Sequence, residues 1–189
     1  AITYTNNDYG KGLADVYAAA VKAHGIKVTI VSAHEDGKAD YSSEVATLAA
    51  AGGDAVAVIG YLDQGGKGII QGSLDSGAFD KFILSDGMIG DSLTEAFGKD
   101  LNKSFGSMPG SMNKKTAGTF ASVAKAAGID SSGPYTGESY DAGALIVLAM
   151  QAGGSADRAS IAKNVMDVAN GPGTKIYPGE LKKGLDLLA

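Results

Sequence analysis

The stretch Asn6-Asn7-Asp8-Tyr9-Gly10-Lys11-Gly12-Leu13-Ala14 follows the apolar run Ala1-Ile2-Thr3-Tyr4-Thr5 and opens a helical pattern. Glycines at a strand-to-helix turn often cradle a phosphate, so the first reading to test is a nucleotide site. The dinucleotide fingerprint needs Gly-x-Gly-x-x-Gly, with its third glycine letting helix and strand approach. Here Gly10 and Gly12 are followed by Asp15, whose carboxylate would sit near a pyrophosphate. The fingerprint fails. The glycines then read as a tight turn that brings backbone close and starts a helix, and Tyr9 becomes the candidate ligand contact.

Outward from this turn the chain alternates. Leu13, Val16, Tyr17, Ala20 and Val21 recur at helical spacing and predict a helix over 11–23, which Gly25 ends. The β-branched run 27–32 predicts a second strand, and Val45, Leu48 and Ala49 one face of a helix over 42–51. Residues 54–59 are apolar without alternation, as in a central parallel strand covered on both faces. A helix over 65–76, strands over 79–84 and 103–107, a short helix over 92–97 and a helix over 116–127 complete the pattern. This order implies an α/β fold: a doubly wound parallel sheet with helices on both faces. After the loop 128–137 the alternation stops, and 138–151, 160–169 and 178–188 all read as helical. Residues 142–150 are apolar nearly all round, so that helix needs cover on more than one side.

Composition narrows the function. Sixteen Lys and Arg against 21 Asp and Glu give a net charge of -5, without a basic run interleaved with aromatics, so nucleic acid is not an expected partner. With no cysteine there are no disulfides, zinc thiolates or cysteine nucleophiles. The longest apolar run is far short of the ~20 residues that span a bilayer, so no direct membrane insertion is expected. The chain opens in a strand, so any export signal is expected to have been removed or to lie upstream.

Chemical motifs are equally sparse. Gly60 to Gly68 resembles a phosphate loop but has five residues between Gly60 and Gly66, and glycine where a magnesium-binding hydroxyl belongs. No serine has glycine two residues before and two after it, which removes the nucleophile elbow. His24 falls at a helix end, and His34-Glu35-Asp36 reads as a solvated loop rather than a metal site. Asp8 and Asp63 as an acid-base pair have no support in spacing. No catalysis, metal or cofactor is expected.

What remains is position. In an open parallel sheet ligands bind beyond the carboxyl ends of the strands. The first residues past the first, third and fourth strands are Asn6 to Tyr9, Gly60-Tyr61 and Ser85-Asp86-Gly87. Singly, Tyr9 and Tyr61 read as packing aromatics and Asp86 as a helix cap. Together they suit a small molecule carrying a cation and an apolar part, because a carboxylate pairs with an ammonium and aromatic faces attract and shield it.

The ordered set NDYGKGLA, IGYLDQGG, FILSDGM, SGPY and ESYDAGAL resembles the branched-chain amino-acid binding proteins of bacterial ABC importers, the Leu/Ile/Val type of type I periplasmic binding protein. The resemblance spans essentially the whole chain. It implies a two-lobed clamp that closes on a free amino acid in the periplasm, or exported and anchored at the cell surface, and then docks on a membrane permease. By position in these motifs Tyr9, Tyr61, Asp86 and Tyr135 face the ligand, with Asp86 receiving the α-ammonium. The family often has glutamate there, and the shorter acid opens the choice to another amino acid or an amide. Residues 1–135 resemble the second lobe and 136–189 a helical segment returning to the first, whose opening sheet is absent, so the chain alone is expected to bind amino acids weakly or not at all. A ligand-sensing domain of a receptor or transcription regulator is the alternative that the same fold allows.

Overall fold

The computed structural model describes residues 1–110 and 114–189, which form two compact units, Ala1–Met108 and Pro109–Ala189. The first unit is a five-stranded, all-parallel sheet in the order β2-β1-β3-β4-β5. Its elements run β1 (Ile2–Thr5), α1 (Asp8–Ala23), β2 (Val31–His34), α2 (Ser42–Ala51), β3 (Val56–Ile59), α3 (Gly66–Ser76), β4 (Phe82–Leu84), α4 (Asp91–Phe97) and β5 (Phe105–Gly106). The strand order reverses direction at β1 and β3, which makes this a doubly wound sheet with its switch point between them.

Side-chain alternation along β1 separates the two faces. Ile2 and Tyr4 join Ala57, Ile59 and the α1 residues Ala14 and Ala18 in one apolar cluster. On the opposite face Val56, Val58, Phe82 and Leu84 pack against Val45 and Leu48 of α2, Ile69 and Ile70 of α3, and Leu93 and Phe97 of α4. Every residue of β3 is buried, as its unbroken apolar run requires of a strand covered on both sides.

The strands are shorter than or shifted from the sequence pattern: β3, read over 54–59, keeps Val56–Ile59, and the other differences are larger. β2 begins at Val31, four residues beyond the start of the β-branched run at Lys27, because its ladder to β1 runs from Ile2 opposite Val31 to Thr5 opposite His34. Val28 packs against the α1-side cluster instead. β4 keeps Phe82 to Leu84, while Phe79 is buried outside the strand. β5 is an edge of two residues, and Phe105 is 69% exposed. Short 3-10 turns at Leu62–Gln64, Asp86–Met88 and Gly98–Leu101 were not legible as helical periodicity, since three or four residues hold only about one turn and no pattern can repeat.

His34 departs from the loop expectation. It closes β2, is 1% exposed, and shares a 2.8 Å hydrogen bond with Thr3 through Nδ1, while its ring meets the Tyr41 ring edge-on. Parallel register causes this, since the residue opposite Thr5 must point to the face that α2 covers. Its Nε2 finds no hydrogen-bond partner among the described residues. Glu35 and Asp36 remain exposed, as expected of them.

Burial pushes the His34 imidazole below its ordinary value, against the opposing pull of Asp36, Glu44 and Glu35. An unfolded histidine titrates near pH ~6.5, so between that pH and the lower folded value the unfolded chain binds the proton and the native one does not. Stability is therefore full above about pH 6.5 and declines as pH falls through it, by at most about 1.4 kcal/mol per pH unit for one proton. Urea midpoints at pH 7.5 and 5.5 check this. His34→Gln should flatten the difference, and an unchanged slope in that variant would assign it to other groups.

The second unit contains α5 (Lys114–Ala126), α6 (Thr136–Gly153), α7 (Arg158–Asn170) and α8 (Leu181–Leu188), with no strand among its described residues. α6 packs against both α7 and α8, and Phe120 of α5 meets Tyr140 of α6 at 5.5 Å between ring centres. Tyr140 Oη accepts a hydrogen bond from the Gly179 amide at 2.9 Å. Along the apolar α6, Leu148 and Ala149 are buried while Ile146 is 46% exposed, so the surrounding helices cover it on part of its circumference.

Candidate functional site

The site forms at the carboxyl ends of β1, β3 and β4, which share one edge of the sheet because all strands are parallel. Past β1, Asn7 caps α1 by accepting a hydrogen bond from the Gly10 amide at 2.9 Å, and this fixes Tyr9 in the first helical turn. α1 can start this close because Gly10 lies on the end of β1: a Cβ there would stand 2.1 Å from the Thr5 carbonyl oxygen. Gly12, paired with it in the sequence reading, faces open space and makes no close approach. Past β3, Gly60 leads to Tyr61 in extended backbone. Past β4, Ser85 leads into the short turn that carries Asp86 and Gly87.

These three tips meet. Tyr9 Oη donates to Asp86 Oδ1 at 2.6 Å and lies 3.1 Å from Ser85 Oγ. The Tyr9 and Tyr61 rings stack with centres 5.2 Å apart and planes inclined by 28°. The β3 and β4 tips touch because residue 87 is glycine, where a Cβ would come within 2.4 Å of the Gly60 carbonyl oxygen and 3.1 Å of Tyr61 Cδ1. Burial, and then the hydrogen bond to Asp86, push the Tyr9 phenol up, so it stays protonated as a donor at neutral pH.

The same edge carries further acid. Asp36 accepts a hydrogen bond from the Thr5 hydroxyl, and Glu35 accepts one from Asn6 Nδ2 at 2.6 Å. Lys11, Lys38 and Lys67 are each held by a carboxylate, of Asp15, Glu44 and Asp63 respectively. A half-buried carboxylate bonded to a tyrosine that stacks on a second ring, on an acidic edge, is suited to a cation.

Tyr135 belongs to the second unit, immediately before α6. It has φ 66°, the left-handed region, and accepts a hydrogen bond from the Ser139 amide at 2.8 Å through its carbonyl. A side chain in that region costs of order 1–2 kcal/mol relative to a right-handed helix, and such strain concentrates at ligand clamps and switches. Ser85 and Gly87 were missed by the sequence reading as working parts, although both stand beside Asp86 in the stretch it singled out. Their roles depend on which tips become neighbours, and local spacing does not carry that.

The reversing strand order and the polar edge beside it define a doubly wound α/β lobe with a ligand-type rim. The chain belongs to the periplasmic binding protein family, whose model matches residues 1–174. Members of this fold are typically non-enzymatic binders of small molecules and typically periplasmic. A type 1 periplasmic binding protein from Bordetella pertussis Tohama I superposes with a TM-score of 0.72 at 22% identity, covering 88% of this chain and 49% of that one. A protein described as an extracellular ligand-binding receptor from Rhodopseudomonas palustris gives 0.68 at 15% identity, covering 88% and 51%. The chain thus spans about half the length of these structures. Comparison with curated proteins finds no significant match. No helix among the described residues is long and apolar enough to cross a membrane, and no group of three or more acidic, histidine or cysteine side chains there could hold a metal.

Proposed function

We propose that the chain is part of the solute-binding component of an ABC importer that captures a free amino acid or a close analogue and delivers it to a membrane permease. The observation that carries this reading is the meeting of Tyr9, Tyr61 and Asp86 at the β1/β3 switch. The α-ammonium would pair with the Asp86 carboxylate, and the tyrosine rings would cover it from water. Tyr135 is proposed as a further ligand-facing residue. Residues 1–135 as one lobe, and 136–189 as a helical segment of the other, belong to the same proposal, as does work by hinge closure in the periplasm. The same capture step would serve a receptor, the description that the Rhodopseudomonas palustris neighbour carries.

A thermal-shift screen of the two-lobed protein against amino acids and their deaminated 2-hydroxy acid counterparts tests the reading. A ligand at a hundred times its Kd should stabilise by about 2.7 kcal/mol. Amino acids should raise the melting temperature and the hydroxy acids should not; equal shifts from both would overturn the ammonium assignment. Tyr61→Ala should weaken binding about two- to thirtyfold in calorimetric titration, the range of a cation-aromatic contact of ~0.5 to 2 kcal/mol.

A further inference from the structure

Ser85 stands where the three tips join, and its partners form an ordered series. A phenol carries one proton and a carboxylate can only accept, so the 2.6 Å contact takes the Tyr9 proton to Asp86. With that proton engaged, the 3.1 Å contact between Tyr9 and Ser85, whose geometry also permits the phenol as donor, is completed by the serine proton given to the phenol oxygen. Ser85 Oγ keeps its lone pairs for the Gly60 amide, which donates to it at 3.3 Å. The result is a directed chain: Gly60 N–H to Ser85 Oγ–H to Tyr9 Oη–H to Asp86. The Ser85 main chain is tied to the same neighbour, its amide donating to Val58 of β3 at 3.2 Å. Ser85 is 9% exposed, so little water competes for its hydroxyl. Each donor in such a series polarises the next, and the terminal carboxylate favours the whole orientation.

We propose that Ser85 is the positioning residue of this site, its hydroxyl holding the Tyr9 ring against Tyr61 and directing the phenol proton to Asp86. The proposal rests on the reading of this edge as a ligand site, but the chain itself can be tested without ligand. Two consequences follow from the directions of the hydrogen bonds. The phenolate of Tyr9 is stabilised by the serine donor, in the sense opposite to Asp86 and to burial. Asp86 and Tyr61 also face a Tyr9 already fixed in place, so a ligand need not order that side chain on binding.

The experiment places 3-fluorotyrosine at position 9 of the 189-residue chain and follows its fluorine resonance with pH. In Ser85→Ala the phenolate loses a donor, and Tyr9 should titrate at higher pH than in the parent. Ser85→Thr keeps the hydroxyl and should restore the parent curve. Ser85→Cys, with its weaker donor, should lie between, and it carries the test if the alanine variant does not fold. An unchanged or lower titration in the alanine and cysteine variants, or a threonine variant that fails to restore it, overturns the proposal. In the two-lobed protein, L-leucine titrated calorimetrically should bind about tenfold more weakly to Ser85→Ala and normally to Ser85→Thr. Equal leucine affinity in parent and alanine variant would overturn the positioning role while leaving the binding function intact. A titration shift at Tyr9 without binding of any amino acid would support the hydrogen-bond chain and reject the function.

Discussion

Asp86→Ala should weaken capture of the best amino-acid ligand by more than two decades in dissociation constant, read by calorimetric titration of the two-lobed protein. Removing one partner of a desolvated charge pair costs roughly 3 to 5 kcal/mol, because the other charge stays buried without compensation. Asp86 is half-buried at the β4 tip, and its carboxylate already accepts the Tyr9 hydroxyl at 2.6 Å. The alanine variant therefore loses the counter-charge and leaves the Tyr9 phenol only its longer contact with Ser85, at 3.1 Å. Asp86→Asn keeps an acceptor for that proton and lacks the charge. If the ligand is held by its ammonium, the asparagine variant should bind nearly as poorly as the alanine one. Affinity unchanged in both would make Asp86 a structural partner of Tyr9 and remove the central contact of the proposed function.

Gly10→Ala should destabilise the first unit by about 1–3 kcal/mol or more, since overpacking at a fixed backbone forces elements apart. The added methyl would stand 2.1 Å from the Thr5 carbonyl oxygen and 2.8 Å from Thr5 Cγ2, and neither the strand nor the capped first turn can yield without disturbing the other. Gly12→Ala, two residues along the same helix, should act in the opposite direction. Position 12 is exposed with nothing within 4 Å of a Cβ, so alanine there gains about 0.5–1 kcal/mol of helix propensity. Urea midpoints of the two single variants check the contrast. Equal effects would mean that α1 does not rest on the end of β1. Because Tyr9 precedes Gly10, the first substitution should also lower ligand affinity, and the second should leave it unchanged.

The alternation of strands and helices through residue 107 was legible because apolar periodicity reports which face of an element is buried, and a parallel doubly wound sheet buries its faces in a regular way. Tyr9, Tyr61 and Asp86 were legible for a related reason. Once the strands are parallel, the residues past their carboxyl ends must share an edge, and the side chains found there can be read directly. Strand limits were less legible. The β-branched run from Lys27 announces a strand that starts only at Val31, since pairing depends on where β1 offers a partner.

His34 shows the same limit more sharply. Its neighbours Glu35 and Asp36 mark a solvated loop, and both are exposed, yet one register position places His34 beneath α2 against Tyr41. Gly10 and Gly12 look alike in the sequence and differ completely in surroundings. Ser85 was unremarkable beside Asp86 until Gly60 and Tyr9 were seen on either side of its hydroxyl.

The sequence by itself determined the fold class, the edge of the sheet on which polar tips gather, and three of the side chains that meet there, because periodicity and strand direction are properties of the local chain. Tertiary structure alone decided the burial of His34, the close contact at Gly10 and Gly87, and the hydrogen-bond series from Gly60 through Ser85 and Tyr9 to Asp86. The hydrogen-bond series and the Gly87 contact join residues from different strand ends, 25 to 77 positions apart for the hydrogen bonds, and the distance between such residues is set by packing and register, which no local spacing encodes; Gly10 meets Thr5 within one strand-to-helix turn, whose backbone path decides the contact.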